Sequence, residues 1–209
     1  MDYEYDIFIS YPHKDHDEDW LTKFFLPEVK RCALEELGRE LKEFVDRTGI
    51  HAGGSWPATL KRALATSRVL LPIWSVAYFK SPWCMNECSV MRHREKQLDL
   101  GTVVNVRGVI VPVRLFDGKH YPPFAKDKQW MDATSYRYHT DGFKKAPKFM
   151  DFQDEIQEFC KGLAKCIASA PDFNPDWLKP EWLDGPMSNW ETDPDMIMPE
   201  VKPAKPTLE

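Results

Sequence analysis

The apolar run Val69-Leu70-Leu71-Pro72-Ile73-Trp74, followed closely by Ser81-Pro82-Trp83-Cys84-Met85-Asn86-Glu87, decides how this chain is read. The apolar run predicts a buried β-strand. Ser81 and Pro82 predict the opening of a helix, because proline is tolerated in a first turn. Trp83 and Glu87 are four residues apart, so they share one face of that helix near its N-terminus and can act on one ligand. Taken alone, such a pair reads as a structural tryptophan beside a solvated glutamate, since most carboxylates lie at the surface. The surrounding chain changes that balance.

Towards the N-terminus, Tyr5-Asp6-Ile7-Phe8-Ile9-Ser10 is a short β-rich run closed by the turn residues Tyr11-Pro12-His13-Lys14-Asp15. A helical region follows, with Trp20, Leu21, Phe24 and Phe25 on its apolar face. Pro27 is expected to kink it or to start a second helix through Val29, Leu34 and Leu37. Residues 41–45 are the next strand candidate, closed by Asp46. Residues 47–56, with Gly49, Gly53 and Gly54, read as a flexible loop before a helix at 57–65. Beyond the deciding stretch come a helix at 83–97, a buried run at 109–113, a short edge strand at 129–133 and an amphipathic helix at 151–167. Strands separated by helices imply a parallel sheet covered on both faces. Ligands bind such sheets beyond the carboxyl ends of the strands. Ser10, Asp46 and Ser75 fall on that rim, and Trp83 and Glu87 follow shortly after.

The 209 residues, 43% of them hydrophobic, suffice for one domain with a full core. No apolar stretch approaches the roughly 20 residues that cross a bilayer, and the acidic Met1-Asp2-Tyr3-Glu4 lacks a signal-peptide layout. The five cysteines, 32, 84, 88, 160 and 166, are odd in number and lack disulfide-framework spacing. These features lead us to expect a soluble, cytoplasmic protein with no membrane partner. The net charge of −5 argues against nucleic-acid binding. Residues 172–209 hold nine acidic and three basic side chains, net −6, which leaves +1 for residues 1–171. The same segment holds seven prolines and is therefore unsuited to long helices or a central strand. Trp177, Leu178, Trp182, Leu183 and Trp190 are the residues able to pin its first half. We expect a domain over 1–170 and a proline-rich acidic tail or linker over 171–209, mobile beyond about Asp193 or leading to a missing partner domain.

Four blocks, in order and at plausible spacing, resemble the Toll/interleukin-1 receptor (TIR) domain family, and more closely its bacterial members. They are Asp6-Ile7-Phe8-Ile9-Ser10-Tyr11; Phe44-Val45-Asp46 with the glycine-bearing loop; Ala63-Leu64-Ala65-Thr66-Ser67-Arg68 with the strand after it; and Ser81-Pro82-Trp83-Cys84-Met85-Asn86-Glu87, similar to S-x-W-C-x-x-E. The resemblance implies a flavodoxin-like three-layer α/β domain, with a central, mostly parallel five-stranded sheet flanked by helices. Two regions depart from the family pattern. The segment before Phe44 is long and contains Pro27, and residues 116–150, rich in Pro, Lys and Tyr, match poorly.

The resemblance splits function into two classes. Many relatives cleave NAD+ at the nicotinamide–ribose bond with the glutamate of W-x-x-x-E, and others are non-catalytic signalling modules that associate through their TIR domains. Trp83 and Glu87 match the pattern, so the resemblance makes Glu87 the catalytic residue. It implies NAD+ as substrate with no separate cofactor, activation by self-association into a homo-oligomer or filament, a sensor domain or protein as further partner, and antiviral defence as the setting. Nicotinamide leaves without a general acid, because its ring nitrogen already carries positive charge, whereas an ordinary glycoside needs two carboxylates. Trp83 offers an aromatic wall that also favours cations. Ser10 and Tyr11 either line the pocket or close a turn. Asp46 either holds a ribose or caps the loop, Trp56 either folds over substrate or anchors packing, and Ser75 belongs to the same rim. Zinc at Cys84, Cys88 and His93 lacks paired ligand spacing, so no metal is expected. A Cys84 nucleophile with His93 as base lacks a third supporting group, and His51 either touches ligand from the loop or is simply solvated there.

Overall fold

The computed structural model describes residues 2–13, 17–45, 58–102, 104–129 and 131–199. Strand β1 (Tyr5–Ser10) sends Ile7 and Ile9 into one apolar cluster and Phe8 into another, so its two faces are both covered. With β2 (Glu43–Val45), β3 (Ser67–Trp74), β4 (Val113–Arg114) and β5 (Met131–Asp132) it forms a five-stranded sheet in the order β2-β1-β3-β4-β5. Each described pairing is parallel, so the expected mostly parallel sheet is wholly parallel. Register sets Ile9 between Val45 and Leu71 and sets Ser10 beside Pro72, which aligns the carboxyl ends of β1 and β3. The apolar run at 109–113 enters the sheet in two pieces, a bridge from Ile110 to Leu70 and then β4. Pro112 lies between them and has no N–H for the ladder.

The first helical region is α1 (Asp17–Trp20), a π turn over Leu21–Phe25, and α2 (Leu26–Leu37). Pro27 explains the break, since it cannot donate backwards and its ring crowds the preceding turn. Gly38 ends α2 at φ 66°, a left-handed conformation suited to glycine, with its N–H on Leu34 O at 3.0 Å. The remaining helices are α3 (Ala58–Ala65), α4 (Val76–Lys80), α5 (Pro82–Gln97), α6 (Pro123–Lys126), α7 (Lys148–Ala168) and α8 (Pro180–Asn189). Trp20, Phe24 and Val29 join Phe152, Ile156 and Leu163 of α7 over Ile7, Ile9 and Leu71. On the other face, α3, α4 and α5 cover Phe8, Leu70 and Trp74. Helix layer, sheet and helix layer make the flavodoxin-like architecture expected from the sequence. Among the described residues, no helix is long and apolar enough to cross a membrane.

Packing continues past Ala170. Trp177, Leu183 and Met196 are each 3% exposed and belong to the α5-side cluster. Met196 lies beyond Asp193, where the sequence suggests a mobile tail. Several side-chain contacts hold this segment to α5. Arg94 lies over the Trp177 ring at 3.9 Å, Trp190 Nε1 donates to Asn86 Oδ1 at 2.7 Å, and Arg92 pairs with Asp193 and Asp195 at 3.1 and 2.7 Å. Helix α8 is ten residues long with Pro186 inside it, and the tryptophans around it add apolar packing.

Candidate active site

Chain direction builds the site. β3 ends at Trp74 on the carboxyl rim, and two serine caps follow. Ser75 Oγ accepts from Tyr78 N at 3.1 Å to open α4, and Ser81 Oγ accepts from Cys84 N at 3.4 Å to open α5, with Pro82 in its first turn. Helix α5 then runs back across the sheet. Its last turns reach the amino end, where Arg94 donates to Ser67 O and Ala65 O at 2.8 and 2.9 Å. Trp83 and Glu87 therefore stand at the carboxyl rim, as the sequence leads one to expect.

Ser10, the last residue of β1, shares the side of that strand occupied by Phe8 and meets α5 there. Its hydroxyl donates to Glu87 Oε2 at 2.5 Å across 77 residues of sequence. Ser10 is 1% exposed and Glu87 6%, so Glu87 is a buried carboxylate rather than a surface charge. Trp83, one turn earlier on α5, is half-buried against the same cluster. Tyr78 completes the group, with Oη 3.0 Å from Ser10 Oγ and 3.2 Å from the Cys84 carbonyl. Tyr78 has no exposed surface. Burial, then the neighbouring Cys88, Cys84 and Glu87, pushes its phenol well above the ordinary range, so it stays protonated.

The other residues singled out in the sequence have different places. Tyr11 belongs to the cluster on the opposite face, its ring 4.9 Å from that of His13, so the pleat separates it from Ser10 and Glu87. Ser75 is 2% exposed and its oxygen caps α4. Asp46 and Trp56, with Gly49, His51, Gly53 and Gly54, lie outside the described residues. All five cysteines are free. Burial, and next the Glu87 charge, raises the Cys84 thiol well above its usual range, while burial and then Glu95 push Cys88 up to about 12. A thiol held protonated is a poor nucleophile. The His93 ring packs 5.8 Å from Trp182. Among the described residues, no group of three or more His, Cys, Asp and Glu is placed to hold a metal ion.

Tyr78 is the member of this group that sequence reasoning misses. Its one local signal is the Ser75 cap three residues earlier, which marks a helix start and says nothing of Ser10, 68 residues away. A cleft of ≈ 860 Å³ lies elsewhere, at the amino end of β4, where Val106, Gly108, Pro112, Phe159 and Cys166 line it.

A family model described as the TIR domain matches residues 7–146, which include Ser10, Trp83 and Glu87. Among solved structures, the chain is similar to one titled "Structure of the activated Roq1 resistosome directly recognizing the pathogen effector XopQ (TIR domains)". Identity there is 22%, with 79% of this chain and 85% of that chain covered at a TM-score of 0.35. No curated protein matches the chain. The family match takes in more than half of the chain, from β1 to the threshold of α7, and on it the chain belongs to the TIR domain family.

Proposed function

We propose that this TIR domain cleaves NAD+ at the bond between nicotinamide and ribose, with Glu87 as the catalytic carboxylate. The observation that carries the reading is the placement of Glu87: buried, at the carboxyl rim of a parallel sheet, one helical turn after Trp83 and hydrogen-bonded by Ser10. A carboxylate sheltered from water acts strongly on a cation beside it. When the ribose C1′–nitrogen bond breaks, its electron pair stays on nicotinamide, which departs neutral, and positive charge develops on the ribose. Glu87 stabilises that charge and holds the ribose hydroxyls, while Trp83 supplies an aromatic face. A water oxygen then bonds to C1′ and loses a proton, giving ADP-ribose. If an adenine nitrogen of the same molecule bonds instead, the product is cyclic. NAD+ enters as substrate, and the scheme uses no separate cofactor.

The reading includes self-association of TIR copies as the activating step, a sensor domain or protein as the trigger, and antiviral defence as the setting, each as the family resemblance implies. A second reading, a non-catalytic interaction module, draws support from the clefts. The ≈ 860 Å³ cleft and another of ≈ 380 Å³ beside Arg92 and Lys128 both lie towards the amino end of the sheet, away from Glu87. One assay separates the two. Purified protein is incubated with NAD+ across a wide concentration series, with and without a crowding agent, and nicotinamide is measured. Release that climbs per protomer with concentration is expected. Intact NAD+ at every concentration, with folded protein, leaves the interaction module.

A further inference from the structure

We propose that Tyr78 and Ser10 form a positioning relay for the Glu87 carboxylate, in which Tyr78 acts only through Ser10. The inference rests on the catalytic reading of Glu87. Proton counting fixes the direction of the relay. Ser10 donates its single proton to Glu87 Oε2. The contact between Ser10 Oγ and Tyr78 Oη, at 3.0 Å, is then satisfied by the proton of Tyr78, which it shares with the Cys84 carbonyl at 3.2 Å. Donation therefore runs from Tyr78 to Ser10 to Glu87. Each hydroxyl polarises the next, and Ser10 becomes a stronger donor than an isolated serine.

The relay joins three elements. Ser10 ends β1, Tyr78 stands on α4 with its N–H on the Ser75 cap, and Glu87 stands on α5. The Tyr78 ring is held edge-on to Phe79 at 5.4 Å. A glutamate's terminal torsion is broad, and a hydrogen bond to one carboxylate oxygen narrows it. The relay adds that restraint before substrate arrives, and the gain falls on the chemical step rather than on binding.

Kinetics of nicotinamide release test this with Ser10→Ala, Tyr78→Phe, their double variant and Glu87→Gln. Ser10→Ala is expected to lower kcat about 10- to 100-fold, the scale of one hydrogen bond to a charged group. Tyr78→Phe is expected to lower kcat about 3- to 10-fold, since it weakens that bond without removing it. KM stays within about twofold in both. The double variant matches Ser10→Ala, because a group acting only through Ser10 has nothing left to act on. If Ser10→Ala does not fold, Ser10→Cys replaces it: the thiol is a weak donor of similar size, and an intermediate kcat is expected. Wild-type kcat in Tyr78→Phe, an effect on KM alone, or a double variant at the product of the two single losses overturns the relay. With active wild type and silent Glu87→Gln, those outcomes sink the relay alone. Wild-type activity in Glu87→Gln, or no release by wild type, removes the catalytic reading and the relay with it.

Discussion

At the amino end of the sheet, Asp6 is gripped by both terminal nitrogens of Arg39, at 2.6 and 2.7 Å, and by Lys42 N at 2.9 Å. There too Glu95, 4% exposed, takes the N–H groups of Val109 and Ile110 at 2.9 and 3.1 Å on one oxygen and Lys128 at 2.5 Å on the other. At the carboxyl end, Glu87 is met by the Ser10 hydroxyl with Tyr78 behind it. Glu87 and Glu95 stand on one helix, eight residues or about 12 Å apart. The two environments differ in what reaches the carboxylate. Carboxylates bonded to backbone N–H groups and to a cation hold strands and loops in register. The one reached by a neighbouring strand's side chain lies on the rim where parallel sheets take ligands, and it is the carboxylate proposed as catalytic.

The largest effect on stability is expected from Glu95→Ala, which strands Lys128 and leaves two backbone N–H groups without their acceptor. A loss of about 3–5 kcal/mol is expected by chemical denaturation, the cost of breaking a buried pair. Gly108 belongs to the same device, because a Cβ there would run into Glu95 Oε1. A loss below about 1 kcal/mol in Glu95→Ala, the range of ordinary surface substitutions, would break the contrast with Glu87.

Arg94 comes next. Its guanidinium is fully buried, pulled down to about 10 by burial yet still charged at neutral pH, and held by two carbonyls and the Trp177 ring. Arg94→Ala should cost about 2–4 kcal/mol, combining charge-assisted hydrogen bonds with a cation–π contact. Limited proteolysis should then cut first between α7 and α8. Cleavage unchanged from wild type would show that the C-terminal segment is held by other contacts.

A smaller effect is expected at Asp6. Its burial opposes ionisation, but the Arg39 hydrogen bond, the Lys42 N–H and the charges of Arg39 and Arg68 outweigh it, so the carboxyl is held below the usual range. A folded-state value below the unfolded one, near 3.9, gives stability that is present above it and lost as pH falls through the folded value. Asp6→Asn should therefore cost about 1–2 kcal/mol at neutral pH, discounted because Arg39 is half-exposed. That gap should close in acid. A gap that widened on acidification would reverse the sign assigned to this pair.

Much of the architecture is legible in the sequence because local signals and burial agree there. The run ending at Trp74 and the Ser81-Pro82 opening specify β3 and α5, and strand–helix alternation specifies the parallel sheet. β4 and β5 are two residues long each, and pairings so short carry almost no periodicity. The carboxyl-end site is half legible. Trp83 and Glu87 stand out by spacing, whereas the side of β1 that Tyr11 occupies follows from the pleat once the strand is placed. Tyr78, Arg94 and Glu95 are illegible because their partners come from other elements, across 68 residues for Tyr78, 27 and 29 for Arg94, and 14 to 33 for Glu95. The C-terminal segment shows the same limit. Its tryptophans are visible as anchors, but Met196 owes its burial to the α5-side apolar cluster, which exists only once the domain is folded.

Nicotinamide release from NAD+ by wild-type protein and by Glu87→Gln, each with its thermal unfolding curve, tests the division of labour between the two ends most directly. Glu87→Gln should melt close to wild type and lose activity by about 100- to 1000-fold or more, the scale set by removing one preorganised stabiliser of transition-state charge. A folded Glu87→Gln protein that turns over NAD+ at the wild-type rate would contradict the assignment, and Glu87 would then be a structural carboxylate like Glu95.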